Sequence, residues 1–210
     1  MLEQFRRYGS DLYIHGLTSS HGGNMSVRMG DRIIITRTGS MLGHLEQYDL
    51  IETGLEENDS GIMLASTEVV VHREIYRNTS ALAIVHCHPP HAVALSLLEQ
   101  DAIIPIDNEG SYLLRKIPIV QAEFTAGSKD VARMASEKLR EYKIVILRGH
   151  GVFSSGPVLE EAYEWCSVLE ESAKVIYLNR MLQLAQVGIT SLGGAKTIEY
   201  RKHTEDYKSW

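Results

Sequence analysis

Two histidines stand two residues apart where an apolar run meets a double proline, at His86 and His88 before Pro89 and Pro90. Side chains in a β-strand alternate between its two faces, so residues i and i+2 point the same way. We therefore expect His86 and His88 to lie side by side at the end of a buried strand, where two imidazoles can chelate a divalent metal. Histidines at this spacing also occur as hydrogen-bonded core or surface residues, and the spacing alone does not separate these interpretations.

Two further residues strengthen the metal interpretation. His150 directly follows another β-rich run, and a glycine on each side leaves room around its ring. Glu68 is predicted in the first turn of a helix that Ser66 or Thr67 caps. Three imidazoles with an open fourth position are typical of a catalytic zinc site, where a carboxylate can be an additional ligand or a base. Each residue also has a simpler explanation, because His150 can belong to a turn and Glu68 can merely favour the helix dipole.

The same helix dipole predicts the ionisation of Glu68. A helix N-terminus stabilises a carboxylate, and a nearby metal ion acts in the same direction, so we expect the pKa of Glu68 below its usual value. Two other histidines, His72 and His91, are placed on helices and are predicted to be structural or to support the metal ligands.

Three short segments of small polar residues share one chemistry: Gly23-Asn24, Thr38-Gly39 and Ser66-Thr67. Their backbone N–H groups and small donors can approach an anion closely, and the third segment also lies at a helix N-terminus. None of them is a Walker loop or a dinucleotide-binding fingerprint. Singly, each is explained more simply as a turn. Together with a metal, the three predict a small phosphorylated substrate.

Periodicity places these residues at the ends of helices and strands. The predicted helices cover residues 2–15, 66–78, 91–99, 129–142 and 159–185. The predicted strands cover residues 27–29, 32–36, 82–88, 117–120 and 143–147, and a further short segment spans 48–53. Residues 105–110 are expected to be irregular. With no internal repeat or linker, we predict one α/β domain over residues 1–210, with a polar C-terminal tail at 188–210.

The composition is that of an ordinary globular protein. The 210 residues carry a formal net charge of -6 and are 44% hydrophobic, without the basic patch that nucleic-acid binding requires. Cys87 and Cys166 cannot form a disulfide framework, which favours a reducing compartment, and Cys87 is expected to be a small buried hydrophobe. No apolar run is long enough to span a membrane and no signal-peptide pattern is present. We therefore expect a cytoplasmic protein with no nucleic-acid or membrane partner.

With these motifs in this order, the sequence resembles the class II aldolase/adducin family, and within it the sugar-phosphate aldolases. The matching motifs are Gly23-Asn24-Met25-Ser26, Thr36-Arg37-Thr38-Gly39, Ser66-Thr67-Glu68 followed by His72, His86-Cys87-His88, and Gly149-His150-Gly151. The resemblance implies an α/β fold in three layers, with a central, mostly antiparallel sheet covered by helices. It also implies a homotetramer of four-fold symmetry with active sites between subunits.

The resemblance also implies roles for the residues named above. His86, His88 and His150 would bind one Zn²⁺ ion per chain. Glu68 would approach the metal in the resting state and act as the acid/base once substrate displaces it. The implied phosphate-binding residues are Gly23, Asn24, Thr38, Gly39, Ser66 and Thr67.

One segment departs from the family pattern. The members that act on fuculose phosphate carry a tyrosine, supplied by a neighbouring subunit, between the two histidine motifs, and this sequence has Asp107 at the aligned position. Tyr112 follows five residues later. Asp107 is therefore our candidate for the second catalytic residue, while Glu109, Tyr112 and a tyrosine of the tail remain alternatives.

The resemblance predicts a zinc-dependent aldolase that cleaves a ketose 1-phosphate, similar to L-fuculose 1-phosphate, into dihydroxyacetone phosphate and an aldehyde. Two rival enzymes use the same scaffold: a pentulose-phosphate 4-epimerase and a methylthioribulose-1-phosphate dehydratase. Family epimerases tend to carry aspartate at the position of Glu68, which favours the aldolase. The adducin-like members are non-enzymatic interaction modules that lose metal ligands, whereas this sequence has all three histidines.

Overall fold

The computed structural model describes residues 1–123 and 127–187, so the predicted tail at 188–210 lies outside the described residues. The described residues form six α-helices: α1 (Leu2–Ile14), α2 (Val69–Asn78), α3 (Pro90–Leu98), α4 (Asn108–Leu113), α5 (Lys129–Leu139) and α6 (Leu159–Val187). Short 3₁₀ turns occur at Leu42–His44, Gln47–Asp49 and Ser60–Met63. No helix of the described chain is long and apolar enough to cross a membrane.

Within residues 1–123 and 127–187, eight strands form one sheet between these helices. They are β1 (Asn24–Met29), β2 (Arg32–Thr36), β3 (Leu50–Gly54), β4 (Ala83–Cys87), β5 (Ala102–Ile103), β6 (Ile117–Val120), β7 (Ile144–Leu147) and β8 (Gly151–Gly156). Their spatial order is β3-β2-β1-β4-β8-β7-β6-β5. The neighbours pair antiparallel except β6 and β7, which are parallel. The predicted α/β class with a mostly antiparallel sheet is therefore confirmed.

Helices cover both faces of the sheet, as the alternation within β4 illustrates. Val85 and Cys87 belong to the hydrophobic cluster that α1, α3 and α6 cover. Ile84 belongs to the other cluster, which α2 and α5 cover. Because neighbouring residues of a strand face opposite ways, His86 lies on the side of α2 and α5. Cys87 is buried with 0% exposure, which agrees with the interpretation of this residue as a small hydrophobe.

The pattern did not predict the short strand β5, the helix α4 or the strand β8. Residues 151–156 are the strand β8, although two glycines and two serines make this segment look like a turn. It pairs with β4 on one side and β7 on the other, and this pairing outweighs its weak strand propensity. The segment 105–110, expected to be irregular, leads into α4, where the Asp107 side chain accepts a hydrogen bond from the Gly110 N–H at 2.7 Å.

Candidate active site

The three predicted metal ligands meet because their strands are neighbours in the sheet. Cys87 of β4 lies opposite Val152 of β8, so the end of β4 lies beside the start of β8. His86 is on β4, His88 follows that strand, and His150 precedes β8. Their ligand nitrogen atoms all lie within 4.8 Å of one another. No other group of three potential metal ligands occurs in the part of the chain that the structure describes.

The turn that carries His150 is attached to the C-terminal half of α3. Arg148 donates a hydrogen bond to the Glu99 carbonyl at 2.8 Å, and the Gly149 N–H donates one to Ser96 Oγ at 2.9 Å. Gly149 has a φ of 69°, in the left-handed region that favours glycine. These contacts fix the position of the His150 backbone.

The segment around His88 is held in a similar way by the loop that follows α1 and by α6. The His88 N–H donates to the Leu17 carbonyl at 2.7 Å. Directly after the prolines, the carboxylate of Glu170 on α6 accepts hydrogen bonds from the backbone N–H groups of His91 and Ala92, each at 3.1 Å. Glu170 therefore caps the N-terminus of α3 from a distant part of the chain.

The hydrogen bond of His86 selects the tautomer that binds a metal. Its Nδ1 lies 2.8 Å from the Val152 carbonyl oxygen, which only accepts hydrogen bonds, so Nδ1 carries the proton. The unprotonated Nε2 lies 3.1 Å from Nε2 of His88. Two nitrogens bound to one tetrahedral zinc ion lie roughly 3.3 Å apart, given Zn–N bonds of about 2.0–2.1 Å. The spacing of these two residues therefore fits a shared metal ion.

Burial also keeps these imidazoles in the neutral form that binds metals. Burial, with a smaller contribution from His88 and His150, lowers the pKa of His86 well below its ordinary value. Burial and then His150 lower the pKa of His88 to about 4. At neutral pH both rings are uncharged and have a free lone pair to offer. The donor set and its protonation therefore both fit a divalent metal of the zinc type.

A polar pocket of about 190 Å³ surrounds the three histidines. It is lined by His21, Gly22, Gly23, Asn24, Arg37, Thr38, Gly39, Ser66, Thr67, Glu68, His86, His88 and His150. All six residues predicted to bind phosphate and all four predicted to bind metal thus line one pocket. Sequence reasoning missed His21 and Gly22, because a histidine and a glycine in a loop carry no periodic signal.

Glycine is required at two positions around this pocket. Gly23 has a φ of 76°, and a Cβ atom there would lie 2.6 Å from the His86 carbonyl oxygen. A Cβ atom on Gly151 would lie 2.5 Å from Cδ2 of His88. Any larger residue at either position would displace a metal ligand or its backbone.

Glu68 enters the pocket from the start of α2. It is the residue that precedes the helix rather than part of its first turn, and its own N–H donates to Ser66 Oγ at 3.3 Å. The side chain is buried, with 5% of the residue exposed. Oε1 accepts a hydrogen bond from the Gly127 N–H at 3.1 Å, while Oε2 has no hydrogen-bond partner among the described residues.

In the metal-free protein, the pKa of Glu68 shifts in the direction opposite to the one that the helix dipole predicts. Burial raises the pKa of Glu68 to about 7, and the hydrogen bond from Gly127 offsets only part of this increase. The Glu68 side chain accepts no hydrogen bond from the first turn of α2, so the helix dipole does little to stabilise its charge. A carboxyl group with a pKa near neutrality can both accept and donate a proton at physiological pH.

These shifts predict how the stability of the metal-free protein depends on pH. His72, His86 and His88 all have lowered pKa values, so their contribution to stability is present above 6.5 and lost as the pH falls. Glu68 acts oppositely, because its raised pKa contributes stability below 4.5 that is lost as the pH rises towards 7. Around pH 5.5 the unfolded chain binds about two more protons than the folded chain. The free energy of unfolding should therefore decrease by roughly 3 kcal/mol for each pH unit of acidification.

Urea titrations of the chelator-treated protein between pH 6.5 and 5 measure this slope. Glu68→Gln is the matched control, because it removes the opposing proton and should steepen the slope to about three protons. A stability that does not change over this interval would contradict the neutral state of the buried histidines.

The three candidates for the second catalytic residue that lie among the described residues do not line this pocket, and the tyrosines of the tail lie outside the described residues. Asp107 instead caps the N-terminus of α4. Glu109 lines a separate cleft of about 690 Å³ beside α1 and α6. Tyr112 lies on α4 with 56% of its surface exposed. None of these three side chains lines the pocket that holds the histidines.

Comparison with known proteins agrees with this architecture. Residues 3–177 match the family described as the Class II Aldolase and Adducin N-terminal domain, and the chain belongs to this family. In fold it is similar to the crystal structure of an L-fuculose-1-phosphate aldolase from Thermus thermophilus. That similarity has a TM-score of 0.83 at 38% sequence identity and covers 93% of this chain and 98% of the other.

Two curated relatives represent two different activities. The chain is 35% identical to an L-fuculose phosphate aldolase of Methanocaldococcus jannaschii, over 86% of this chain and 98% of the relative. It is 33% identical to a 3-oxo-tetronate 4-phosphate decarboxylase of Haemophilus influenzae, over 80% of this chain and 83% of the relative. Both relatives are enzymes, which supports an enzyme of the class II aldolase family here.

Proposed function

We propose that this protein is a metal-dependent aldolase, with zinc as its ion, that cleaves a ketose 1-phosphate into dihydroxyacetone phosphate and an aldehyde. The observation that carries the proposal is the composition of one pocket. It combines three imidazoles, a buried carboxyl group and small polar residues from three loops. The substrate we favour resembles L-fuculose 1-phosphate, in agreement with the activity for which several relatives are named.

The phosphate group would bind at the side of the pocket formed by Asn24, Thr38 and the segment Ser66-Thr67. Asn24 is the first residue of β1 and lies opposite His86 in the sheet, which places its amide beside the metal ligands. Arg37 is the one cationic side chain among the pocket residues, and it forms an ion pair with Asp49 at 3.2 Å. Loop N–H groups and small donors would therefore provide most of the phosphate contacts.

Asn24→Ala and Thr38→Ala should each weaken inorganic phosphate as a competitive inhibitor by about tenfold, the usual size of one hydrogen bond to a charged group. Thr53→Val is a suitable control, because Thr53 lies on β3 and does not line the pocket. Inhibition constants that remain unchanged in both variants would remove these loops from the site.

Cleavage breaks the C3–C4 bond of the ketose phosphate. The C4 hydroxyl loses its proton as that oxygen becomes the aldehyde carbonyl, and the electron pair of the bond stays on C3. A bound metal ion supplies a Lewis acid that polarises the neighbouring carbonyl. Glu68 then donates a proton to C3, and in the direction of synthesis it removes the same proton. Burial, which raises the pKa of Glu68 in the metal-free protein, favours the protonated form that donates to C3.

The proton of the C4 hydroxyl requires a second group. Asp107, Glu109 and Tyr112 do not line the pocket of their own chain. We therefore propose the homotetramer that the family resemblance implies, in which a neighbouring subunit supplies this group, with Asp107 as the first candidate. We also propose a cytoplasmic location, since Cys87 and Cys166 are free thiols.

A second candidate function is the decarboxylation of a 3-oxo-tetronate 4-phosphate. Two relatives with this activity are each 33% identical to the chain, close to the value for the aldolases. Loss of CO₂ from a 3-oxo acid also leaves an electron pair beside a carbonyl group, so the same pocket would stabilise the same kind of charge. The 4-epimerase and dehydratase alternatives have no such support from the relatives named here.

Hydrogen exchange in heavy water tests the aldolase proposal without knowledge of the aldehyde. The zinc-loaded enzyme, incubated with dihydroxyacetone phosphate alone, should exchange one hydrogen of C3 for deuterium with a single stereochemistry. Proton NMR of the recovered compound measures this exchange. Absence of exchange, with interconversion of pentulose 5-phosphates at C4, would instead support the epimerase.

A further inference from the structure

A continuous chain of buried hydrogen bonds runs from α2 to the phosphate side of the pocket. Tyr76 OH lies 2.7 Å from Ser26 Oγ, which in turn lies 2.6 Å from Nδ1 of His72. Nε2 of His72 lies 2.6 Å from Oδ1 of Asn24. All four residues are less than 5% exposed, and His72 and Ser26 have no exposed surface.

All hydrogen bonds in this series are donated in the same direction, from Tyr76 towards Asn24. The His72 ring has no exposed surface, and its two nitrogens contact a hydroxyl and an amide rather than a carboxylate, so the ring is neutral and carries a single N–H. An amide oxygen only accepts hydrogen bonds, so the proton is on Nε2 and is donated to Asn24. Nδ1 then accepts a hydrogen bond from the Ser26 hydroxyl, and Ser26 accepts one from Tyr76.

If the hydrogen bonds were donated in the opposite direction, both Tyr76 and Asn24 would be placed unfavourably. Tyr76 would accept from Ser26, and its own buried proton would have no acceptor, since its only hydroxyl contact among the described residues is Ser26. Asn24 would have to turn its NH₂ group towards His72 and its oxygen towards the pocket. An oxygen there would repel the oxygens of a phosphate group, which accept hydrogen bonds but do not donate them.

We propose that His72 is a positioning residue for substrate phosphate: it holds the Asn24 oxygen so that the Asn24 NH₂ group faces the anion. This inference rests on the phosphate pocket of the proposed function. An asparagine amide can present either its donor or its acceptor, and a surface asparagine alternates between them. The fixed tautomer of His72 removes that choice and adapts the pocket to an anion that only accepts hydrogen bonds.

His72 also contacts the ring of Phe153 edge-on, with ring centroids 5.8 Å apart, so packing alone is the competing role. His72→Phe keeps an aromatic ring in this position and removes both hydrogen bonds. His72→Gln is the conservative variant, because its amide NH₂ can still donate to Asn24. Tyr76→Phe removes only the hydrogen bond between Tyr76 and Ser26, and the Ser26 hydroxyl can still donate to His72.

Calorimetric binding of inorganic phosphate to the zinc-loaded protein tests the proposal in a double-mutant cycle. Asn24→Ala and His72→Phe should each weaken phosphate binding by about tenfold. The double variant should be no weaker than Asn24→Ala alone, because His72 acts through Asn24. His72→Gln should recover most of the affinity, Tyr76→Phe should stay within about threefold of wild type, and zinc content should not change in any of them.

The outcomes separate this inference from the proposed function. If Asn24→Ala leaves phosphate binding unchanged, the phosphate pocket itself is misplaced and the role of His72 falls with it. The positioning role is wrong if Asn24→Ala weakens binding but His72→Phe does not, or if the two losses of phosphate affinity add. In either case the assignment of the phosphate pocket remains supported. Should His72→Phe fail to fold, ¹⁵N NMR of wild-type histidines decides: the Nε2–H tautomer at His72 supports the proposal, and the Nδ1–H tautomer overturns it.

Discussion

Glu68→Gln is expected to slow hydrogen exchange at C3 of dihydroxyacetone phosphate by a factor on the order of a hundred or more, the usual contribution of a general base. Glutamine has the size of glutamate, and its oxygen can still accept the hydrogen bond from the Gly127 N–H. The amide of glutamine cannot act as an acid or a base at any working pH. The loss should therefore appear in the exchange rate while the bound metal stays near the wild-type amount.

Glu74→Gln is a matched control for this variant, because Glu74 lies on the same helix α2 but does not line the pocket. The control should exchange at the wild-type rate. Exchange at the wild-type rate in Glu68→Gln itself would remove Glu68 from the proton transfer. The exchange would then have to involve another group of the pocket, such as His21.

The second large effect is expected for His88→Ala. Wild-type protein should contain about one zinc or similar divalent ion per chain, as a single site of three histidines would bind. Without His88, two of the three imidazoles remain, and a metal bound by two neutral ligands is readily lost to a mild chelator. Elemental analysis after dialysis should show that most of the metal is gone, with loss of the exchange activity.

His44→Ala controls for the removal of a histidine in general, since His44 is exposed and outside the pocket. It should retain the wild-type metal content. Full metal occupancy in His88→Ala would show that the ion is bound elsewhere or by other residues. Circular dichroism of both variants separates metal loss from unfolding.

The metal ligands could be predicted from the sequence because their signal is local. The alternation of side chains along β4 and its extension puts His86 and His88 on the same face, and the prolines determine where the strand ends. The loops with Asn24 and Thr38 could be recognised as possible anion sites from their small polar residues. The expectation that these loops meet in one pocket came from the family resemblance, because the spacing of residues in a single sequence does not show which loops are in contact.

The features that the sequence did not predict depend on contacts between distant segments. β8 is a strand because β4 and β7 pair with both of its edges, and its own glycines and serines do not favour that state. The pKa of Glu68 depends on its burial and on the N–H of Gly127, far along the chain. The hydrogen bonds of His72 join residues 46 and 48 positions apart. Neither spacing nor periodicity reports such contacts.

The central claim is that this pocket cleaves a carbon–carbon bond to release dihydroxyacetone phosphate. Its most direct test incubates the zinc-loaded enzyme with a panel of ketose 1-phosphates that includes L-fuculose 1-phosphate, and with a 3-oxo-tetronate 4-phosphate in parallel. We expect dihydroxyacetone phosphate and one equivalent of aldehyde from at least one ketose phosphate, with no CO₂ from the oxo acid. Release of CO₂ from the oxo acid, with no dihydroxyacetone phosphate from any ketose 1-phosphate, would contradict the aldolase and establish the decarboxylase in its place.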